Sequence, residues 1–387
     1  MMKLELNRQS FLRAWQVVEK FTSAKTTMDI TRGVFITAKE GIVRLEATNL
    51  STSINLLFQD VNVLTAGSAV IPAAIVGEML KKSPSEDLIL EVNSTRGLLN
   101  AGRHKTRFAV FSDVEFPVMQ RSDTANAVCE LPVSAFIAII NEGSSASSQP
   151  QEFPKYLGTC LLRTSDNMLK CVATDGKRLS LSQAQCEVLR NEDFLLRTSS
   201  LKELCRTISS YTSEDSIKMM SSDSMVWFRS GNIEVAIRRI EAPFPKFERI
   251  INNDTSTTLK ISAGDLLKSL ERVDIIAKTT PAHIMAMSLN PNGELKITAR
   301  VPELGVTTEV LQSDIEGECL NVGFNVGYFI DGLKAIGSGQ VVIEFSGQEG
   351  QTRIKHEDNG DFLYMLMPAR LTEQDLITAE ENSDFQP

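Results

Sequence analysis

The feature that most constrains the fold of this 387-residue chain is a pattern that occurs three times. Each copy starts with a short strand of alternating apolar and polar residues, and an amphipathic helix follows. The three copies start at Lys3, Cys129 and Thr258. A second strand-and-helix unit recurs between them, with matching positions 125 residues apart at Val70, Leu195 and Leu320. Self-similarity at a constant period indicates tandem copies of one structural unit.

Local capping and turn residues support these elements. Pro72 and Pro132 stand where the first turn of a helix tolerates a missing N–H. Ser200 and Ser262 each have an acidic residue three positions later, which is the spacing of a capping box. We therefore predict an α+β protein of three tandem domains, each with two helices against an antiparallel sheet. The predicted domains are 1–125, 126–252 and 253–371, and the polar C-terminal tail, 372–387, has too few apolar residues to fold alone and is expected to be mobile.

The predicted helices are richer in Lys and Arg than in Asp and Glu, although the whole chain has a net charge of −9. If these helices share one face, that face is positive and suits sequence-independent tracking of a phosphate backbone. For any single residue, a solvated helix surface is the simpler explanation. The helix cations assigned to this face are Lys81, Lys82, Lys202, Lys268 and Arg272. No helix-turn-helix signature or zinc-finger spacing indicates sequence-specific DNA binding.

Cysteine and histidine usage gives no support to an enzyme. The six cysteines form no Cys-x-x-Cys pair, and we expect them to be reduced and mostly buried. The charged amino terminus lacks a signal peptide, and no segment approaches the ~20 apolar residues that span a bilayer, so we expect a cytoplasmic protein without membrane partners. His104, His283 and His356 are scattered, and no metal-binding or phosphate-loop motif occurs. No catalytic residue, metal or cofactor is therefore assigned.

Several stretches together carry a family resemblance. They are Cys-Val-Ala-Thr-Asp-Gly-Lys-Arg-Leu (171–179), Pro-Phe-Pro-Lys-Phe-Glu-Arg-Ile (243–250), and Val-Gly-Phe-Asn-Val-Gly-Tyr-Phe-Ile-Asp-Gly-Leu-Lys-Ala-Ile (322–336) with Met-Pro-Ala-Arg-Leu (367–371). They resemble the bacterial DNA sliding clamp, the beta subunit of DNA polymerase III. The resemblance runs in order from Lys3 to Leu371, and its motifs are specific in combination.

The resemblance implies a clamp-type domain in each third and a head-to-tail homodimer, closed into a six-domain ring whose twelve helices line a hole for duplex DNA. Such a ring is a non-catalytic processivity factor. Its implied partners are double-stranded DNA of any sequence, the replicative DNA polymerase, the clamp loader and other proteins that carry clamp-binding peptides. A closed ring cannot leave DNA sideways, so weak contacts suffice. The alternative is a non-catalytic interaction scaffold that keeps the clamp fold and does not encircle DNA.

In this family a peptide-binding pocket lies between the second and third domains. The positions that match its wall are Leu157, Thr174, Gly176, Lys177, Arg178, Leu179, Pro245, Arg249, Ile250, Met367, Pro368, Ala369 and Arg370. Apolar side chains with Arg at the rim suit a short extended peptide with apolar anchors. On the residues alone, domain-junction core and a tight turn are the simpler explanation. The family commonly has His where Lys177 stands and Met where Ala369 stands, which leaves partner preference open.

Other matched positions concern DNA and ring closure. The family's DNA-facing positions match Lys25, Gln151, Tyr156 and Arg206, although the loop at 25–31 lacks the usual prolines. The family's subunit contacts match Phe108 and Val110 on one strand and Ile275 and Ile276 on the opposing segment. Pairing exposed sheet edges in a closed ring removes an aggregation-prone edge. A buried core role for these four residues is the alternative.

Overall fold

The computed structural model describes residues 1–23, 28–111, 116–117, 119–150, 154–302, 304–358 and 360–377. Within these residues each third of the chain contributes two α-helices. The helices are α1 (Arg8–Glu19), α2 (Ala73–Lys82), α3 (Val133–Gly143), α4 (Thr198–Tyr211), α5 (Ala263–Ala277) and α6 (Val326–Ile336). None of them is long and apolar enough to cross a membrane.

Each third of the chain also contributes nine strands to the described structure. The first nine are β1 (Met2–Asn7), β2 (Gly33–Lys39), β3 (Ile42–Thr48), β4 (Thr52–Phe58), β5 (Val61–Thr65), β6 (Gly67–Pro72), β7 (Asp87–Val92), β8 (Arg96–Ala101) and β9 (His104–Ala109). The next are β10 (Asn126–Pro132), β11 (Thr159–Ser165), β12 (Met168–Thr174), β13 (Arg178–Gln185), β14 (Glu187–Val188), β15 (Glu192–Arg197), β16 (Ser216–Ser221), β17 (Met225–Ser230) and β18 (Ile233–Arg238). The last are β19 (Thr257–Ser262), β20 (Ile284–Asn290), β21 (Glu294–Val301), β22 (Gly305–Gln312), β23 (Asp314–Gly317), β24 (Leu320–Asn325), β25 (Gln340–Phe345), β26 (Thr352–His356) and β27 (Phe362–Leu366).

The strands form antiparallel sheets that run through the junctions between thirds. One nine-stranded sheet has the order β14-β10-β16-β17-β18-β4-β3-β2-β6, and a second has the order β15-β11-β12-β13-β27-β26-β25-β19-β23. The pairing of β18 with β4 therefore joins the second third to the first, and the pairing of β13 with β27 joins it to the third. A five-stranded sheet, β5-β1-β7-β8-β9, and a four-stranded sheet, β22-β21-β20-β24, lie at the two ends of the chain.

The helices form a row in the order α2-α1-α4-α3-α6-α5. The neighbours α1 and α2, α3 and α4, and α5 and α6 come from the same third, whereas α1 contacts α4, and α3 contacts α6, across a junction between thirds. The helix faces that contact the sheets are apolar, because they carry residues such as Phe11, Trp15 and Val18 at helical spacing. Trp15 is completely buried, and its indole N–H donates to the carbonyl of Ala73 at 3.0 Å, which fixes the start of α2 against α1. The row thus presents one continuous helical surface.

The predicted fold class is confirmed, with three α+β units of two helices each against antiparallel sheets. The two repeated units correspond to β1-α1, β10-α3 and β19-α5, and to β6-α2, β15-α4 and β24-α6. Gly41, Gly231 and Gly293, each with a positive φ, connect the hairpins β2–β3, β17–β18 and β20–β21.

Two local predictions need correction. Ser200 is not a helix cap, because α4 already begins at Thr198, and its hydroxyl instead contacts the Thr52 hydroxyl at 2.8 Å. Pro72 and Pro132 were expected in the first turn of a helix. They instead occupy the N-cap positions, one residue before α2 and α3 begin. By contrast, the Ser262 side chain does cap α5 by accepting from the Asp265 N–H.

The start of the C-terminal tail has local secondary structure. Residues Glu373–Leu376 form a short 3-10 helix, and the Asp375 carboxylate accepts hydrogen bonds from the N–H and hydroxyl of Thr372, both at 2.7 Å. Leu371 lies against Gly323, where an added β-carbon would be 2.7 Å from its Cδ2. The first residues of the polar tail therefore form hydrogen bonds with one another, next to the apolar contact of Leu371.

Candidate partner-peptide and DNA-binding surfaces

A tight turn between β12 and β13 begins the candidate peptide site. The Asp175 carboxylate accepts hydrogen bonds from the N–H groups of Lys177 and Arg178, at 2.9 and 3.1 Å. The Thr174 hydroxyl donates to the Arg178 carbonyl at 2.6 Å. Gly176 has a φ of +88°, a conformation that glycine adopts without steric cost. The turn is therefore specified by its own side chains, and it leaves Lys177 exposed at the tip.

Arg178 is the most constrained of the predicted pocket residues. Its guanidinium donates to Asp175 at 2.9 Å, to Asp331 at 2.7 Å and to the Tyr364 hydroxyl at 3.0 Å, and it stacks 4.2 Å from the ring centre of Tyr328. Burial opposes the charged form, but Tyr364, Asp331 and Asp175 outweigh it, so the pKa of Arg178 is raised. These partners come from the second and third units, so Arg178 links the two across their junction.

The segment after β27 lies beside this turn. The Met367 N–H donates to the Lys177 carbonyl at 2.9 Å, and the Met367 side chain is 47% exposed. Two residues further on, the Ala369 N–H donates to the Gly323 carbonyl at 2.8 Å. This segment forms one wall of a cleft of about 720 Å³. The other lining residues include Asn321, Val322, Gln348, Glu349, Leu371 and Leu376.

An apolar cluster lies on the second nine-stranded sheet next to the turn. Its buried members are Leu161, Val172, Leu179, Leu195, Phe247 and Met365. The segment after β18 covers this cluster, and Pro245 lines a cleft of about 300 Å³ there with Phe244 and Ile240. Tyr156 packs edge-on against Phe244, with ring centres 5.9 Å apart. The cluster brings the 243–250 stretch and the β13 stretch onto one surface.

The thirteen predicted pocket residues fall into groups that differ in exposure. Exposed are Gly176, Lys177, Arg249, Ile250, Met367 and Arg370, and Pro245, Pro368 and Ala369 are half-buried. Buried in the junction or the turn are Leu157, Thr174, Arg178 and Leu179. A peptide that binds here would contact the exposed group directly, while the buried residues shape the surface beneath it.

The partners of Arg178 were missed by sequence reasoning. Tyr328 and Asp331 lie on α6, inside a stretch that carries the family resemblance, and Tyr364 lies on β27. Tyr364 is fully buried, and its hydroxyl donates to the Tyr328 carbonyl at 2.8 Å. The only available signal was the aromatic and acidic character of α6, which by itself does not indicate a contact with β13.

The predicted DNA-facing residues do not all lie on the helical surface. Lys25 and Gln151 lie outside the described residues. Tyr156 packs on the apolar cluster instead. Lys202 and Arg206 of α4 line a cleft of about 660 Å³ together with Lys20 and Asn141, which lies where α1, α3 and α4 meet. Lys20 is therefore a further cation of the helical surface.

Several cations of the helical surface are paired with acids. Lys81 and Lys82 contact Glu78, Arg206 contacts Glu203, and Arg272 contacts Glu309 of β22 through two nitrogens. The hydrogen bond from Arg272 lowers the pKa of Glu309. Lys268 is exposed on α5. The six helices carry nine basic and eight acidic residues, and the C-caps Lys20 and Lys278 add two cations. The predicted excess of positive charge is thus small and lies partly at the helix ends.

No group of three or more His, Cys, Asp or Glu side chains in the described part of the chain is arranged to hold a metal ion.

Comparison with known protein families assigns all three thirds of the chain. Residues 2–120 match the N-terminal domain of the DNA polymerase III beta subunit, residues 130–246 match its central domain, and residues 248–370 match its C-terminal domain. The chain belongs to the DNA polymerase III beta subunit family. The predicted resemblance is confirmed.

Individual members of the beta subunit family match along their whole length. A beta sliding clamp from Staphylococcus epidermidis is 27% identical over 380 residues, which cover 96% of this chain and 100% of that protein. The fold is that of the solved sliding clamp from Bacillus subtilis, with a TM-score of 0.90, 22% identity and coverage of 96% and 100%. It is also that of the Pseudomonas aeruginosa sliding clamp bound to griselimycin, with a TM-score of 0.88, 23% identity and the same coverage.

This beta subunit chain has a free strand edge at each end. Neither β9 nor β22 pairs with a second strand among the described residues. Phe108 of β9 is buried in its own domain, with its ring against Gly97, and Val110 is half-buried. Ile275 is 58% exposed on α5, and Ile276 is half-buried beside Gly305 of β22. Of the four predicted contact residues, Phe108 is thus buried within its own chain, Val110 and Ile276 are half-buried, and Ile275 is exposed on a helix next to the edge.

Proposed function

We propose that this chain is a processivity factor for DNA synthesis. Two copies close head to tail into a ring of six domains around duplex DNA, and the ring tethers the replicative polymerase. The domains of each copy are 1–125, 126–252 and 253–371. The ring itself carries out no catalytic step and needs no cofactor, and it works in the cytoplasm.

The observation that carries this proposal is the composition of the four sheets. Each nine-stranded sheet consists of four strands from one third, ending in β4 or β13, and five from the next, beginning with β18 or β27. The four-stranded sheet that ends in β22 and the five-stranded sheet that begins with β9 are the two unjoined halves of a third such sheet. Within the described residues, one chain does not pair these two halves with each other. A second copy supplies both missing halves, which gives a closed two-fold assembly.

In the closed ring the row of helices lies on the inside, and the continuous sheets lie on the outside. The row then faces the DNA with Lys20, Lys202 and Arg206 at one junction between helices. Contacts of this kind are made to phosphates and carry no base information. Since the ring is held topologically, its affinity for DNA can be low and the ring can still slide.

The partner peptide binds at the junction of the second and third domains. Met367 and Ile250 offer exposed apolar surface, with Lys177, Arg249 and Arg370 around it. This arrangement suits an extended peptide with an apolar anchor and an acidic or amide group beside it. The polymerase and the clamp loader are the partners that such a peptide would bring.

The topological mechanism is tested with circular and linear DNA. After loading onto a primed circle, we expect the ring to stay bound through gel filtration and to be lost when the circle is cut once. Protein blocks at both ends of the linear product should restore retention, because they close the exit. Equal retention on open linear and circular DNA would show that the chain binds DNA without encircling it.

The peptide site is tested with Met367→Asp, which replaces the exposed apolar anchor contact with a charge. We expect at least a tenfold loss of affinity for a polymerase-derived peptide in fluorescence polarisation, with the dimer unchanged in sedimentation. Met28→Asp is a matched control, because Met28 is also an exposed methionine and lies far along the chain from the junction. An unchanged affinity in the Met367 variant would show that the pocket is misassigned.

A further inference from the structure

The cleft of about 720 Å³ beside Met367 continues the candidate peptide surface onto the third domain. Three of the predicted pocket residues, Pro368, Ala369 and Arg370, line this cleft, and so does Val322 of β24. Because Pro368 directly follows Met367 in the chain, the exposed methionine and the cleft are neighbours on one surface. A peptide that contacts Met367 can therefore extend into the cleft.

The start of the C-terminal tail forms a further wall of this cleft. Thr372, Glu373 and Leu376 line it, and the short helix Glu373–Leu376 lies against β20 and β21. The Asp375 carboxylate holds this turn by accepting from the N–H and hydroxyl of Thr372. The match with the C-terminal domain of the beta subunit family ends at residue 370. The wall is thus an addition to the matched domain.

The second domain has a cleft at the corresponding place. The N–H of Ile240 there donates to the Leu195 carbonyl at 2.8 Å, just as the N–H of Ala369 donates to the Gly323 carbonyl at 2.8 Å. The segment that follows Ile240 contains the buried Phe247, and the cleft beside it has a volume of about 300 Å³. The cleft of the third domain is more than twice as large, so it has more room for a bound side chain.

The two clefts also differ in charge. In the second domain, Arg163 pairs with two acids of the same lining, Asp193 at 2.7 Å and Glu248. In the third domain no ion pair among the described residues involves the charged residues of the lining, which are Glu349, Glu373 and Arg370. This lining carries one more negative charge than positive, and its acids are available to a bound cation.

We propose that this cleft extends the peptide site and binds a basic residue that flanks the apolar anchor of a partner peptide. The proposal rests on the peptide site proposed above and adds a preferred class of partner to it. The ammonium or guanidinium group of the flanking residue pairs with Glu349 and Glu373. Its methylene stem packs on the apolar part of the lining, at Val322, Leu371 and Leu376.

Charge complementarity sets the preference for a basic residue. Arg370 is the one cation of the lining, and it also belongs to the group around Met367 that receives the acidic or amide group of the peptide. The two acids then remain for a group of opposite sign. An acidic flanking residue would be repelled by them, so attraction and repulsion both favour a peptide with Lys or Arg beside its anchor.

The test measures binding of fluorescein-labelled peptides to the full-length protein by fluorescence polarisation. The core peptide is the clamp-binding segment of a DNA polymerase. Further peptides carry a Lys-Lys or a Glu-Glu extension at either end of it, so that both directions of binding are covered. We expect Lys-Lys at one of the two ends to raise the affinity at least fivefold over the core peptide, and Glu-Glu at the same end to lower it.

Reversal of charge in the cleft should reverse this preference. In the double variant Glu349→Lys, Glu373→Lys we expect the Glu-Glu extension to bind more tightly than the Lys-Lys extension. The affinity for the core peptide should match that of the parent, which also shows that the variant is folded. The control is the double variant Glu187→Lys, Glu214→Lys, which makes the same change in net charge at two exposed acids outside the cleft. It should keep the preference of the parent.

The outcomes separate the cleft from the peptide site. Suppose that the core peptide binds and Met367→Asp removes this binding. If neither Lys-Lys extension then improves affinity, or if the cleft variant keeps the preference of the parent, the cleft proposal is wrong and the peptide site stands. A reversed preference in the control variant also overturns the cleft proposal, because net charge would then decide. If the core peptide fails to bind, or binds Met367→Asp equally well, the peptide site is misassigned and the cleft proposal falls with it.

Discussion

At the scale of single residues, Arg178 connects local sequence to domain arrangement. The Thr-Asp-Gly turn positions its backbone, and the side chain then crosses the junction to Asp331, Tyr328 and Tyr364. Arginine suits this position because a planar guanidinium can stack on a ring and donate to several acceptors at once. The residue that sequence resemblance assigns to a peptide pocket is therefore also a structural link between domains.

We expect Arg178→Ala to lower the free energy of unfolding by about 3 kcal/mol, because it leaves buried partners of a charged network unpaired. The free energy of unfolding of Arg178→Lys should lie between those of Arg178→Ala and the parent. A lysine ammonium lacks the planar guanidinium that stacks on a ring and donates to several acceptors at once. Urea unfolding followed by far-UV circular dichroism measures the change. Arg370→Ala is the control, because Arg370 is exposed on the neighbouring segment and should change stability little. Equal midpoints for the two alanine variants would contradict the linking role.

At the scale of elements, the edge strands β9 and β22 are unpaired on one side among the described residues of one chain. Edge strands with unpaired backbone groups are an aggregation hazard unless something covers them. β9 bears exposed Lys105 and Arg107, and β22 bears exposed Val310 next to α5 with Ile275. A basic strand and an apolar edge are unlike surfaces, which suits pairing between different ends of two copies and disfavours pairing of like ends.

We expect Ile275→Lys to convert the dimer to monomers, because it adds a cation and removes apolar area where the basic β9 of the second copy would approach. Analytical ultracentrifugation over a concentration series measures the dissociation constant, which should rise at least a hundredfold. Leu64→Lys is the matched control, since Leu64 is 46% exposed on β5, at the other edge of the same sheet as β9. If Ile275→Lys leaves the dimer unaffected and Leu64→Lys dissociates it, the interface lies at the β5 edge of the sheet, and the assignment to the β9 edge is wrong.

At the scale of the whole molecule, net charge and DNA binding are reconciled by distribution and topology. The chain has a net charge of −9, yet the helical row is slightly positive once its C-caps are included. So small an excess would give weak binding to open DNA. A closed ring does not depend on that affinity for retention.

We expect the double variant Lys202→Ala, Arg206→Ala to bind linear duplex DNA more weakly and to show a shallower dependence of binding on salt, because fewer phosphate contacts are made. Once loaded on a closed circle, it should remain bound like the parent. Fluorescence anisotropy with linear DNA and gel filtration with circles measure the two properties. The control is the double variant Lys39→Ala, Lys218→Ala, which removes two exposed cations from strands. It should change neither the affinity for linear DNA nor the retention on circles.

The sequence by itself determined the repeat, the fold class, the family and the local turns, because these depend on periodicity, on glycine and cap positions, and on contiguous motifs such as 171–179 and 367–371. Only the tertiary structure decided which motif residues are exposed, that Tyr156 packs on an apolar cluster and not on the helical row, and that Arg178 is held by α6 and β27. These are contacts between residues far apart in the chain. They arise when β13 pairs with β27 and when the segment after β18 packs on the apolar cluster, and no local pattern in the sequence encodes those contacts.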